Sequence, residues 1–235
     1  MSALHAELAI MNFNPSNYWL DTVTIPSGTL GELPERVDAA IVGAGFTGLS
    51  AARTLAKRGA KVAVLETNTI GWGASSRNGG MVLTGMKLGV ETLAGRYGME
   101  SAKRMYAASL SSIDLVEKIV GEEQIDCDFS RCGHLEVACK QSHFDTYARS
   151  VEVIAREFNH LLRIVPKNQL RGEIGSGIYY GGMVDDVSAG LNPPLTHSLV
   201  RSGLPGKGVE LQSANAQSLL GTSFCSPGRS SEAPV

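Results

Sequence analysis

Six residues, Gly43-Ala44-Gly45-Phe46-Thr47-Gly48, restrict this 235-residue chain more than any other stretch. Before them stands a short apolar run, residues 38–42, with the length and composition of a strand buried on both faces. After them Leu49, Ala52, Leu55 and Ala56 fall on one side of a helix read over residues 49–58. Lys57 and Arg58 sit in its last turn, where cations favour the negative end of the helix dipole, and Gly59 supplies the stop. Residues 61–66 alternate around Val62, Val64 and Leu65 and end in an acid, Glu66. Strand, glycine turn, helix and strand within about 30 residues make a βαβ unit with a parallel pair.

Each residue of the turn has a mechanical task. Gly43 permits the tight exit from the strand, Gly45 lets the backbone approach a pyrophosphate, and Gly48 lets the helix pack closely on the strand. The helix N-terminus then offers unpaired N–H groups and a partial positive charge to the phosphates. Glu66, at the tip of the second strand, can accept hydrogen bonds from ribose hydroxyls, and its charge disfavours a 2′-phosphate. A lone GxGxxG is weak, but here the strand, helix and acid all accompany it. The reading is a dinucleotide site.

Which dinucleotide depends on the run that follows, Gly71-Trp72-Gly73-Ala74-Ser75-Ser76-Arg77-Asn78-Gly79-Gly80. Its small and polar residues offer amides and hydroxyls to an anion, with Arg77 as a fork-shaped donor. Together with residues 38–66, this run resembles the FAD-dependent oxidoreductases of the D-amino-acid oxidase (glycine and sarcosine oxidase) type. The nearest likeness is to the gamma-glutamylputrescine oxidase branch, which carries a similar Gly-Ala-Ser-x-Arg-Asn-Gly-Gly run. The resemblance covers residues 17–193, more weakly beyond the two motifs. It implies FAD, with Gly43, Ala44, Gly45, Phe46, Thr47 and Gly48 at the pyrophosphate and Glu66 on the adenosine ribose. Ser75, Ser76, Arg77, Asn78 and Gly79 would run along the diphosphate toward the flavin. The chemistry implied is transfer of a hydride from the C–H beside an amine, with a small amine or amino acid as substrate. The protein's share in it is orientation and electrostatics, so no catalytic side chain is named. Two other readings stay open: an NAD-dependent dehydrogenase sharing only the nucleotide fold, and a non-catalytic nucleotide-binding fragment.

The expected fold class is α/β: a Rossmann-like FAD-binding βαβ unit, part of an α+β substrate domain, and an irregular C-terminal tail. By boundaries this gives an N-terminal arm over 1–36, a FAD-binding region over 37–90, a partial substrate region over 91–194 and a tail over 195–235. Helices are expected over 100–120 and 142–159, the second opened by a capping pair, Ser142 and Asp145. Strands are expected around Leu135, Val137 and Cys139 and over 178–184. Tyr18, Trp19 and Leu20 read as a packing knot in the arm. His143 and His160 are expected to be exposed, Asp185 and Asp186 to form a turn, and Lys103 and Arg104 to lie on a solvated face. The tail holds eight serines and five glycines with little periodicity, so it is expected to lack a stable fold. The family would return there to complete the FAD domain, so the expectation is a truncated form without turnover.

Composition excludes other classes. Lys plus Arg is 21 against 23 for Asp plus Glu, which leaves no basic surplus for a phosphate backbone and argues against nucleic acid. The longest uncharged apolar stretch, residues 39–52, is too short for a membrane span of about 20 residues. Four cysteines, Cys127, Cys132, Cys139 and Cys225, are too few and irregular for a disulfide scaffold, so a reduced, cytoplasmic setting is expected. Cys132 and His134 lack a second pair at metal spacing, and no metal site is expected.

Overall fold

A computed structural model describes residues 17–23 and 34–194, together with the backbone of 209–213. These residues fall into two compact units, 34–74 with 209–213 and 17–23 with 75–194.

In the first unit, strand β1 (Ala39–Val42), helix α2 (Phe46–Lys57) and strand β2 (Val62–Glu66) follow in order, and β8 (Val209–Ser213) completes the sheet. The sheet order is β1-β2-β8, parallel throughout, with Ala39 opposite Val62 and Val62 opposite Val209. The βαβ unit is therefore where the sequence places it. Val62, Ala63 and Val64 are buried in succession, as befits a central parallel strand with both faces covered. Leu49, Ala52 and Ala56 supply the buried stripe of α2. Two expectations change. The helix starts at Phe46, three residues earlier, because the glycine turn itself enters the first helical turn. Strand β1 alternates instead of being buried on both faces, and Val42 is 67% exposed.

The larger correction concerns the tail. Within residues 195–235, expected to be irregular, Val209–Ser213 form a parallel strand paired with all of β2. The parallel edge of β2 is the physical reason: it offers a row of N–H and C=O groups to a five-residue segment in which Val209 and Leu211 alternate with Glu210 and Gln212. The remainder of the expected tail, residues 195–208 and 214–235, lies outside the described residues.

The second unit opens with a short helix, α1 (Tyr18–Asp21), capped by the Asn17 side chain, which accepts from the Leu20 amide. A two-stranded antiparallel ladder joins β3 (Met81–Val82) to β7 (Ala189–Gly190). A three-stranded antiparallel sheet has the order β4 (His134–Val137), β6 (Gly181–Asp185), β5 (Arg163–Pro166). Helices α3 (Val90–Tyr97), α4 (Met99–Glu122) and α5 (Gln141–Phe158) make up the rest. Val90, Leu93, Ala102, Tyr106, Ile154 and Phe158 form the helical core, and Val165, Leu170 and Val184 a second one with Leu135 and Val137. This is the expected α+β region.

Its details correct the sequence reading at several points. Helix α3 is unexpected, because Gly89, Gly95 and Gly98 obscure an apolar pair, Val90 and Leu93, that is buried. The Ser142–Asp145 capping pair does not form. Helix α5 begins at Gln141, so Ser142 is already inside it, and Asp145 accepts from the Gln141 side-chain amide instead. The strand expected from residue 178 begins at Gly181, whose φ of +147° is open to glycine and which lies against the Phe144 ring. Ile178 is 74% exposed. Lys103 is not merely solvated, since its ammonium lies 3.0 Å from Glu157. No helix among the described residues is long and apolar enough to cross a membrane.

Candidate cofactor site

The glycine turn leaves β1 through Gly43, at φ +100°, whose amide donates to the Leu65 carbonyl at 2.7 Å. Gly45 occupies the N-cap of α2 and brings no side chain to cap it. The helix's own bonding starts with the Leu49 amide, to the Gly45 carbonyl at 3.0 Å. A helix entry of this kind presents amides and the positive end of a dipole, which is a donor set for an anion. Gly48 holds the helix against the strand: a Cβ there would stand 2.0 Å from the Gly43 carbonyl oxygen and 3.3 Å from Ile41. Gly43 has nothing within 4 Å of its Cβ position and Gly45 brings no side chain to the helix entry, so the residues present fit a diphosphate.

Glu66 does something the sequence did not suggest. Its Oε2 accepts from the Ala44 amide at 2.8 Å and its Oε1 from the Asn68 amide at 3.0 Å. The Gly71 amide closes the arrangement by donating to the Ala44 carbonyl at 2.9 Å. The carboxylate therefore ties the tip of β2 to the glycine turn. Each oxygen keeps a second lone pair, so a ribose hydroxyl can still be accepted.

In the second unit, Ser75 and Ser76 lie on a 3-10 turn, Ala74–Ser76, and Ser76 is fully buried. Asn78 folds its own loop. Its side-chain amide donates to the Ser75 carbonyl at 3.1 Å, its Oδ1 accepts from the Gly80 amide at 2.9 Å, and its carbonyl accepts from the Trp19 indole at 2.8 Å. The packing knot of the arm thus holds the Ser75, Ser76, Arg77, Asn78 and Gly79 run. Arg77, Asn78 and Gly79 are exposed. Gly43, Ala44, Gly45, Phe46, Thr47, Gly48 and Glu66 come together within the first unit, and the later run is organised within the second.

Sequence reasoning missed a buried polar cluster. The Tyr106 hydroxyl lies 2.7 Å from His160 Nδ1, and His160 Nε2 lies 3.1 Å from Asp185 Oδ1. His160, expected at an exposed helix flank, is 5% exposed, and Asp185 is buried at the end of β6 and not in an open turn. Asn159, in the left-handed region at φ +51°, turns the chain inward after α5 and delivers the imidazole. Burial alone would raise the Asp185 carboxyl. Hydrogen bonds from Thr84, Ser188 and the Val187 amide, with His160 nearby, outweigh it and hold the group below the usual carboxylate range. Burial raises the Tyr106 phenol. No sequence spacing links residues 106, 160 and 185, so only the fold reveals them. Among the described residues no group of three or more His, Cys, Asp or Glu could hold a metal.

A family model for FAD dependent oxidoreductases matches residues 38–221. The chain belongs to this family. Membership carries the likeness past residue 193, through β8, where the sequence resemblance stops. Among relatives, "Probable oxidoreductase OrdL" of Haemophilus influenzae is 33% identical over 160 residues, which are 68% of this chain and 37% of that protein. "Gamma-glutamylputrescine oxidoreductase" of Escherichia coli is 33% identical over 156 residues, 66% and 36% of the two chains. The chain thus spans just over a third of the length of these family relatives. Solved structures share the fold. Glycine oxidase from Geobacillus kaustophilus superposes with a TM-score of 0.59 at 22% identity, over 75% of this chain and 46% of that one. L-Amino acid deaminase from Proteus myxofaciens gives 0.64 at 18% identity, over 81% and 41%.

Proposed function

We propose that this chain binds FAD and serves an oxidoreductase that takes a hydride from the C–H beside an amine. The observation that carries this is the glycine turn from Gly43 to Gly48, with Gly45 at the N-cap of α2 and Glu66 tying the turn to the tip of β2, in a chain of an FAD-dependent family. The turn and helix entry would hold the diphosphate, Glu66 would accept from the adenosine ribose, and Ser75, Ser76, Arg77, Asn78 and Gly79 would continue toward the flavin. FAD, when bound, supplies the hydride acceptor. The chain's own part is to orient it and to meet its phosphate charge with amides and a guanidinium. On this reading residues 37–90 carry the cofactor and residues 91–194 contribute the substrate side. The substrate is a small amine or amino acid. Likeness to the Escherichia coli protein supports the gamma-glutamylputrescine branch, and the cysteine content supports a cytoplasmic setting.

The test is direct titration of the purified chain with FAD, followed by flavin absorbance. Glu66→Gln keeps an acceptor for the Ala44 amide but loses the charge. A charge-assisted hydrogen bond is worth about 1.5–3 kcal/mol, so affinity should fall roughly ten- to a hundredfold. Equal FAD affinity in the variant would remove Glu66 from the site. A second reading, nucleotide binding without turnover, draws on the chain's partial span of its relatives. Bleaching of bound flavin by a primary or secondary amine without oxygen separates the two, since the binding-only chain stays oxidised.

A further inference from the structure

Asp185 gathers more hydrogen bonds than any strand end requires. Its Oδ1 accepts from His160 Nε2 at 3.1 Å and from the Val187 amide at 3.0 Å. Its Oδ2 accepts from the Ser188 hydroxyl at 2.8 Å and, in a short bond, from the Thr84 hydroxyl. Four donors fill a carboxylate, and they come from three places in the unit: Thr84, His160 and the turn at Val187 and Ser188. Thr84 lies two residues past β3, and Ser188 directly precedes β7. The carboxylate therefore grips both strands of the β3–β7 ladder at the same end.

The surroundings lock this grip in place. The Thr84 amide donates to the Ser188 hydroxyl at 3.4 Å. The Gly85 amide donates to Ser109 Oγ at 2.8 Å, and that hydroxyl donates to the Tyr106 carbonyl at 2.6 Å on α4. A carboxylate can only accept, so His160 Nε2 carries the hydrogen that faces it. The imidazole is braced on its other side by Tyr106. At the opposite end of the ladder, the Leu191 amide donates to the Gly80 carbonyl at 2.9 Å, and a Cβ on Gly80 would meet that Leu191 carbonyl oxygen at 2.3 Å. Residues 80–85 thus have no slack, and they continue without a break from the run that ends at Gly79.

We propose that Asp185 is a positioning residue whose carboxylate, through Thr84 and Ser188, fixes the path of residues 80–85 and so the placement of the 75–79 run. The cofactor-facing half of this statement rests on the function proposed above; the path of residues 80–85 does not. Asp185 touches no reacting group. It acts through two hydroxyls and an imidazole, and its effect should be local to the ladder and the run.

Hydrogen exchange read by mass spectrometry on the full chain tests it. Thr84→Val removes one donor with almost no change of shape. Losing a hydrogen bond to a charged group should speed exchange of the amides in 80–85 about ten- to a hundredfold, with 75–79 following and the α5 amides unchanged. Thr84→Ser keeps the hydroxyl and should exchange as the natural chain does. Asp185→Asn should loosen the same segment further; if that variant does not fold, the Thr84 pair decides. Unchanged exchange over 80–85 in Thr84→Val would overturn the proposal, as would an acceleration spread evenly over the unit. The same variants are then titrated with FAD. Loosening of 75–79 with undiminished affinity would detach that run from the cofactor while leaving the role of Asp185 standing. Failure of the natural chain to bind FAD would instead overturn the functional reading, and the exchange result would still stand.

Discussion

At the scale of single residues, glycines separate into those a side chain would break and those it would improve. Gly48→Ala drives a Cβ to 2.0 Å from a backbone carbonyl that cannot swing aside, so α2 must lift from β1. Overpacking of this kind costs about 1–3 kcal/mol, and the thermal midpoint should fall accordingly. Gly95, exposed in the middle of α3 with nothing within 4 Å of its Cβ position, behaves in the opposite way. Gly95→Ala should stabilise by about 1 kcal/mol through helix propensity. A midpoint that drops in Gly95→Ala, or holds in Gly48→Ala, contradicts this assignment. Asp185 makes a pH prediction whose sign follows from its depressed carboxyl. Its contribution is complete above the unfolded carboxylate value and is lost as pH falls through the lower folded one. Urea midpoints between pH 2 and 6 should therefore slope less in Asp185→Asn than in the natural chain. The glycine turn was legible because its spacing is a local rule. The Tyr106–His160–Asp185 cluster was not, because its members meet only after two helices and two strands have folded.

At the scale of elements, local periodicity accounts for most of what could be read. The alternation of residues 61–66 and the stripes of α4 and α5 place those elements to within a few residues. The failures have separate causes. Three glycines hid α3, and the capping pair at Ser142 was lost to a helix that starts one residue sooner. Strand β8 was missed, since its partner is remote and the alternation of Val209 and Leu211 with Glu210 and Gln212 is too short to stand out after Gly203, Pro205, Gly206 and Gly208. Its pairing makes a prediction. Amides in a parallel strand point alternately to the two sides, so β2 shares its donors between β1 and β8. Deleting residues 209–213 should speed exchange at the β2 amides turned toward β8 and spare those bonded to β1. Uniform exchange along β2 in both chains would mean the strand is not held there. The exposed β2 edge should also make the shortened chain prone to association.

At the scale of the molecule, the two tryptophans fall one in each unit, Trp72 in the first and Trp19 in the second. Trp19→Phe and Trp72→Phe therefore give two single-probe proteins. If each unit unfolds on its own account, fluorescence in rising urea should give two separate midpoints, whereas coincident curves would report one cooperative block. The order of β8 in the sheet has one more consequence, for synthesis on the ribosome. Strands β1 and β2 emerge early, but the strand that covers their sheet's third position follows only after the whole second unit. At about 5–20 residues per second, roughly 140 intervening residues take on the order of ten to thirty seconds. For that interval the nascent β2 edge stands open in the cell, and the second unit, already synthesised, has time to fold first.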